Sequence, residues 1–143
     1  MTSCDTNILF HACRPDDRHH KRAARFLEDR LDDQAFVICE LALVELYTLL
    51  RNPAMTTHPL TAAEAVATVE QFRQHPVWRI VDYPGGLMAG VWNLAAQPAF
   101  ARRKIYDVRF ALTLRHHGVT EFATRNLSDF RDFGFKRVWD PCA

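Results

Sequence analysis

The sequence predicts an α/β domain with a short, mostly parallel central sheet and helices on both faces. Three observations carry this expectation. Compact apolar runs such as "AFVIC" and "VWRIVDY" alternate with segments of helical period. The order of strand, helices, strand, helices, strand is that of layered α/β domains. At 143 residues and 48% hydrophobic content, with no repeat or linker, the chain has material for one domain with a real core.

Residues 1–5 form a short first strand, and Asn7 to Cys13 a short helix that ends before Pro15. In "RHHKRAARFLEDRLDD", residues 18–33, Ala23, Ala24, Leu27 and Leu31 recur at helical spacing. "AFVIC" reads as a buried strand. "ELALVELYTLLRN" follows as a helix apolar nearly all round, stopped by Pro53. In "LTAAEAVATVEQFRQH", Thr61 and Glu64 have capping-box spacing, and Pro76 closes the helix. "VWRIVDY" is a strand, Gly85 and Gly86 turn the chain, and "LMAGVWNLAAQ" is a helix. "IYDVRFALTLRHHG" is a helix that ends on Gly118. "EFAT" and "KRVWDP" supply the last strands.

Charge and cysteine content exclude several classes. The net charge is +1, from 18 basic and 17 acidic residues, so a polyanion would be met by a local patch or a metal and not by a global field. No run approaches the length of a membrane helix, and Asp5 interrupts any leader-like start, so a soluble, cytoplasmic protein is expected. Cys4, Cys13, Cys39 and Cys142 form no zinc spacing and are expected as reduced thiols. The pair His19 and His20 is expected on a solvated face, and His116 and His117 at a helix C-terminus. Trp78, Trp92 and Trp139 are read equally as core or as platforms.

The acids point to chemistry. Asp5 falls at the carboxyl end of the first strand, where it is either a helix cap or a ligand. Glu45 sits among apolar residues in "LALVELYTLL", so it must be neutral, paired or cation-bound. Glu40 is an exposed first-turn acid. Asp107 opens a helix whose stripe Tyr106, Phe110 and Leu114, with Val108, Ala111 and Leu112 beside it, looks covered on both sides. Asp129 follows a late strand, and Asp132 and Asp140 read as surface acids. Carboxylates gathered at one edge of a parallel sheet persist only with raised pKa values or with cations between them. All-oxygen ligands favour Mg2+ or Mn2+, and the chemistry that follows is metal-assisted attack of water on a phosphodiester.

Four stretches in order, "CDTNILFHA", "VELYTLLRNP", "RRKIYDVRFALTLRHHGVTEF" and "ATRNLSDF" with "VWDP", resemble the PIN-domain family. The closer resemblance is to the VapC-type toxin ribonucleases of prokaryotic toxin–antitoxin modules. It implies a three-layer α/β/α fold over residues 1–143 and a metal-dependent endoribonuclease. It also implies a cognate antitoxin and a homodimer. Carried onto this sequence, Asp5 and Asp107 match the metal-site acids, and Glu45 the glutamate after the second strand. Thr6 and Asn7 match the polar residues beside the first acid. The pattern departs after Thr124, where Arg125 and Asn126 follow and an amide takes the place of an aspartate. Either Asp129 or Asn126 fills that fourth position, with one metal or two.

The expected mechanism has Asp5, Asp107 and Glu45 holding Mg2+ or Mn2+, with Asp129 as the fourth acid and Thr6, Asn7 and Asn126 in support. Arg102, Arg103, Lys104 and Arg125 are the candidate RNA contacts, with a solvated loop as the alternative for the first three. The helices at 19–33 and 61–75 are candidate walls of an antitoxin groove. Two rivals stand: phosphotransfer through Asp5, against which Asn7 replaces a second aspartate, and a non-catalytic nucleic-acid or protein binding module whose acids are structural.

Overall fold

Five three-residue strands, all parallel, run through the centre: β1 (Thr2–Cys4), β2 (Val37–Cys39), β3 (Arg79–Val81), β4 (Glu121–Ala123) and β5 (Arg137–Trp139). The computed structural model describes all 143 residues. One piece of sheet has the order β1-β4-β5 and the other β2-β3. A parallel bridge between Thr2 and Phe36 joins them, with Thr2 N–H donating to Ala35 O at 3.0 Å. The spatial order is therefore β3-β2-β1-β4-β5. Chain direction across the sheet reverses between β1 and β4, and such a switch point opens a crevice at the carboxyl ends of the strands.

Seven helices cover the sheet: α1 (Thr6–Ala12), α2 (His20–Glu28), α3 (Glu40–Leu50), α4 (Ala62–Arg73), α5 (Leu87–Ala95), α6 (Lys104–His116) and α7 (Leu127–Phe130). Right-handed crossovers put the helices that lead from β1 to β3 on one face and those after the reversal on the other. The packing agrees: α1 meets α2 and α3, α3 meets α4, and α6 meets α5 and α7. Phe36, Ile38, Ile8, Leu9, Leu43, Leu46, Leu114 and Phe122 are fully buried between the layers. Each contributes roughly 1.5–3 kcal/mol of apolar burial.

The local signals hold where they act over a few residues. Thr61 Oγ1 accepts from Glu64 N at 3.2 Å and Glu64 Oε1 from Thr61 N at 3.0 Å, the expected capping box. Gly118, with φ +86°, ends α6 in the left-handed region, where a side chain would be strained. The four cysteines are free, and burial pushes the Cys13 and Cys39 thiols up to about 12 and 11.

Other expectations need correction. The helix expected to Asp33 stops at Glu28, and Leu31 is 49% exposed. There Arg30, Leu31 and Asp33 bond three residues back, and the Asp33 side chain takes the Ala35 N–H, so turn bonds win over helix. His19 and His20 are half-buried, because they pack around His11: the His19 ring lies edge-on to it at 4.9 Å and His20 Nδ1 donates to its carbonyl. Trp78 is core, whereas Trp92 is 58% exposed. α7 was unforeseen, since four residues carry no readable period. No helix is long and apolar enough to cross a membrane.

Candidate active site

Asp5 directly follows β1 and is the N-cap of α1, in extended conformation. Its N–H still belongs to the sheet and donates to Ala123 O at 2.8 Å. Oδ1 accepts from Thr6 N at 2.8 Å. Oδ2 accepts from Asn7 Nδ2 at 3.2 Å and from Thr124 Oγ1 at 2.7 Å. Cap and ligand are thus compatible roles. A carboxylate has about four lone-pair sites, and the cap uses one.

Thr6 carries the next link. It is buried, and its Oγ1 donates to Glu45 Oε2 at 2.7 Å. Glu45 is half-buried and not sealed among apolar residues, because α3 turns Val44 and Thr48 to solvent. Its carboxylate has no arginine partner. Asp107 is half-buried in the first turn of α6. It does not cap that helix, which begins earlier, at Lys104, with Arg103 as N-cap. Tyr106 beside it is 61% exposed, although Phe110 and Leu114 on the expected stripe are buried. A helix of this length spans about 20 Å and a three-residue strand about 10 Å, so the first turn of α6 outlasts the sheet that covers the rest.

Electrostatics tie these acids together. Burial pushes the Asp5 carboxyl up to about 6, against its Thr124 and Thr6 donors, and the charges of Glu45 and Asp107 add to the rise. Burial likewise pushes Asp107 up to about 6, reinforced by Asp129 and Glu45 and opposed by Lys104. Asp5, Glu45, Asp107 and Asp129 therefore share one field. None of the four takes part in any ion pair of the protein. Glu40, by contrast, is gripped by Arg73 Nε at 3.1 Å from both oxygens. No three acid, histidine or cysteine side chains close tightly enough to enclose an ion unaided.

The supporting positions sort unevenly. Asn7 Oδ1 accepts from Arg125 N at 3.4 Å, so the amide spans Asp5 and the segment after β4. Asn126 is exposed, and it is its backbone N–H that bonds, to Thr124 Oγ1 at 2.9 Å. Asp129 is exposed in the first turn of α7. Arg102, Arg103 and Lys104 are exposed ahead of Asp107. Arg125 is not free: its Nε lies 3.4 Å from Asp140 and its Nη1 3.5 Å from His11 Nε2. Thr124, fully buried against Asp5, was missed as a site residue. Its signal was the pairing of Cys4 with Ala123, which puts the residues after β1 and β4 side by side.

A family model described as the PIN domain matches residues 3–136. The chain is a PIN-domain protein. The PIN match takes in all four acids of the shared field. Ribonuclease VapC24 of Mycobacterium tuberculosis is 50% identical over 141 residues, covering 99% of this chain and 97% of that protein. Among solved structures, M. tuberculosis VapC20, a sarcin–ricin loop cleaving toxin, aligns with a TM-score of 0.72 at 18% identity, over 94% of this chain and 96% of its own. DNA-bound VapBC from Salmonella typhimurium aligns at 0.62 and 21% identity, over 99% and 98%. At those identities the structural likeness speaks for the PIN fold alone.

Proposed function

We propose that this PIN domain is a divalent-metal-dependent endoribonuclease, the toxin of a toxin–antitoxin pair, hydrolysing RNA phosphodiester bonds at the Asp5, Glu45 and Asp107 site. One observation carries the reading: the four acids share a field without a single ion pair to a protein cation, and two are pushed up to about 6 although Lys104 opposes the rise at Asp107. Such a cluster is relieved by a cation. The donors are all oxygen and suit Mg2+ or Mn2+, which bind through one or two carboxylates and keep several waters. The name of the 50% identical relative supports the reading.

When bound, the cation supplies an activated water and offsets charge gathering on the phosphate. The chain's own part is positioning. Three donors fix Asp5. Thr6 ties Asp5 to Glu45 by giving its N–H to one and its hydroxyl to the other. Asp107 meets no protein donor and keeps its oxygens available. Asp129 or Asn126, both at the start of α7, fills the fourth place. Arg102, Arg103 and Lys104 grip phosphates beside Asp107, whereas the Arg125 side chain is engaged by Asp140 and His11. A cognate antitoxin and a homodimer belong to the same proposal. α2 and α4, expected as walls of the antitoxin groove, line a cleft of about 380 Å3 with Ala24, Leu27, Thr68 and Phe72.

The test is cleavage of structured and single-stranded RNAs in Mg2+, Mn2+ or EDTA, with folded Asp107→Asn protein as control. Cutting that needs the metal and disappears in the variant supports the reading. Cutting that survives in EDTA or in the variant overturns it.

A further inference from the structure

Lys21, Arg22 and Arg25 are exposed on α2, at spacings that put them on one patch. With Arg30 they line a cleft of about 560 Å3, which Trp139 also lines. The only acidic side chain in the lining is Asp29, bound to Arg25 at 2.9 Å. Outside the cleft lining, the Arg137 guanidinium stands 4.2 Å from the centre of the Trp139 ring. Arg22 Nη1 donates to Cys142 O at 3.0 Å and holds the segment after β5 against α2. In a chain of net charge +1 this is a marked local excess of cations.

Arg22 and Arg30 are bonded to the Cys142 and Phe26 carbonyls, but the other two cations are not needed in that way. Lys21 makes no ion pair, and the Arg25 side chain is 74% exposed. The cleft is also connected to the carboxylates. Trp139 precedes Asp140, Asp140 holds Arg125, the Arg125 N–H bonds Asn7, and Asn7 bonds Asp5. A row of cations beside an aromatic ring is the equipment for a sugar–phosphate backbone. An RNA whose scissile phosphate reaches Asp5 must lay its flank over neighbouring surface.

We propose that the cleft between α2 and the segment after β5 is a second RNA subsite, which holds the substrate's backbone away from the scissile bond. The proposal rests on the nuclease reading above. The test combines Lys21→Ala with Arg25→Ala in the full chain, with circular dichroism to verify the fold. Cleavage is followed in the otherwise wild-type protein and binding in Asp107→Asn. The probes are a stem-loop RNA and a short single-stranded oligonucleotide. The double variant is expected to raise KM for the stem-loop about tenfold more than for the oligonucleotide. Its binding to the stem-loop is expected to lose about two from the log–log salt slope. Lys21→Glu with Arg25→Glu is expected to deepen both effects.

Equal losses on both probes, or an unchanged salt slope, overturn the subsite. So does a loss of affinity for the cognate antitoxin with RNA binding intact, which assigns the cleft to a protein partner. If the wild type cuts no RNA in any metal, the nuclease reading fails on its own. The stem-loop binding arm then still decides the cleft, for or against, by the slope.

Discussion

Asp5 and Asp17 flank the same short helix, and both are held by several hydrogen bonds, yet their carboxyls move in opposite directions. Burial raises Asp5 to about 6 against three donors, and Glu45 and Asp107 add to the rise. Asp17 is also raised by burial. Donors from His19 N and His11, and the charges of His11 and Arg14, outweigh that and hold it below the usual carboxylate range. At Asp5 three neutral donors do not offset the burial, and nearby anions add to it; at Asp17 the donors include Arg14 and His11, whose charges help to offset it. Asp17 faces cations and works as structure. Asp5 faces anions and has no ion-pair partner in the protein. Arg125 sits on the border, its backbone bonded to Asn7 and its side chain to Asp140.

The widest separation of the two regions comes from removing one acid in each. Asp107→Asn is expected to cut metal-dependent RNA cleavage at least about a hundredfold. In EDTA its Tm should stay level or rise, because the variant relieves repulsion. A clear fall in Tm would show that Asp107 is structurally paired and break the contrast. Asp17→Asn should do the reverse. Losing charge-assisted bonds to His11, Arg14 and the His19 N–H costs about 1–3 kcal/mol in denaturant unfolding. Cleavage well below the transition should change little.

pH sharpens the comparison. A carboxyl raised to about 6 in the folded state holds its proton more tightly there than in the unfolded chain. The stability it lends is complete below about 4, the unfolded value, and is lost as pH rises through about 6. In EDTA, Tm should therefore fall as pH climbs through that window. Mg2+ needs the deprotonated acids, so the Tm gain it confers should grow across the same window. Asp17 runs the other way: its contribution is present above the ordinary carboxylate value and lost in acid, and Asp17→Asn should flatten that acid limb. The smallest effect belongs to Thr124→Val, which removes one donor from Asp5 Oδ2. Mg2+ binding by calorimetry should weaken about five- to tenfold, and Thr124→Ser should restore it.

Much of this was legible in the residues. Pro53, Pro76 and Gly118 marked the ends of helices, and Thr61 with Glu64 marked a start. Asp5, Glu45 and Asp107 drew notice because acids at strand ends or in apolar helices need a reason. Other features were out of reach. Thr124 enters the site only because β4 pairs with β1. Tyr106 shares a helical face with Phe110, yet the sheet ends before reaching it. Arg125 looked like a free cation until Asp140 and His11 were placed beside it.

By itself the sequence determined which carboxylates exist and which element carries each one. Caps, chain breakers and periodicity act over a few residues, so they can be read along the chain. Tertiary structure alone decided which of those carboxylates lack an ion-pair partner. The strand order β3-β2-β1-β4-β5 brings Asp5, Glu45 and Asp107 into one field and leaves Arg14, Arg73 and Arg125 to Asp17, Glu40 and Asp140. The field at an atom sums over neighbours in space, and those neighbours come from segments far apart in the chain.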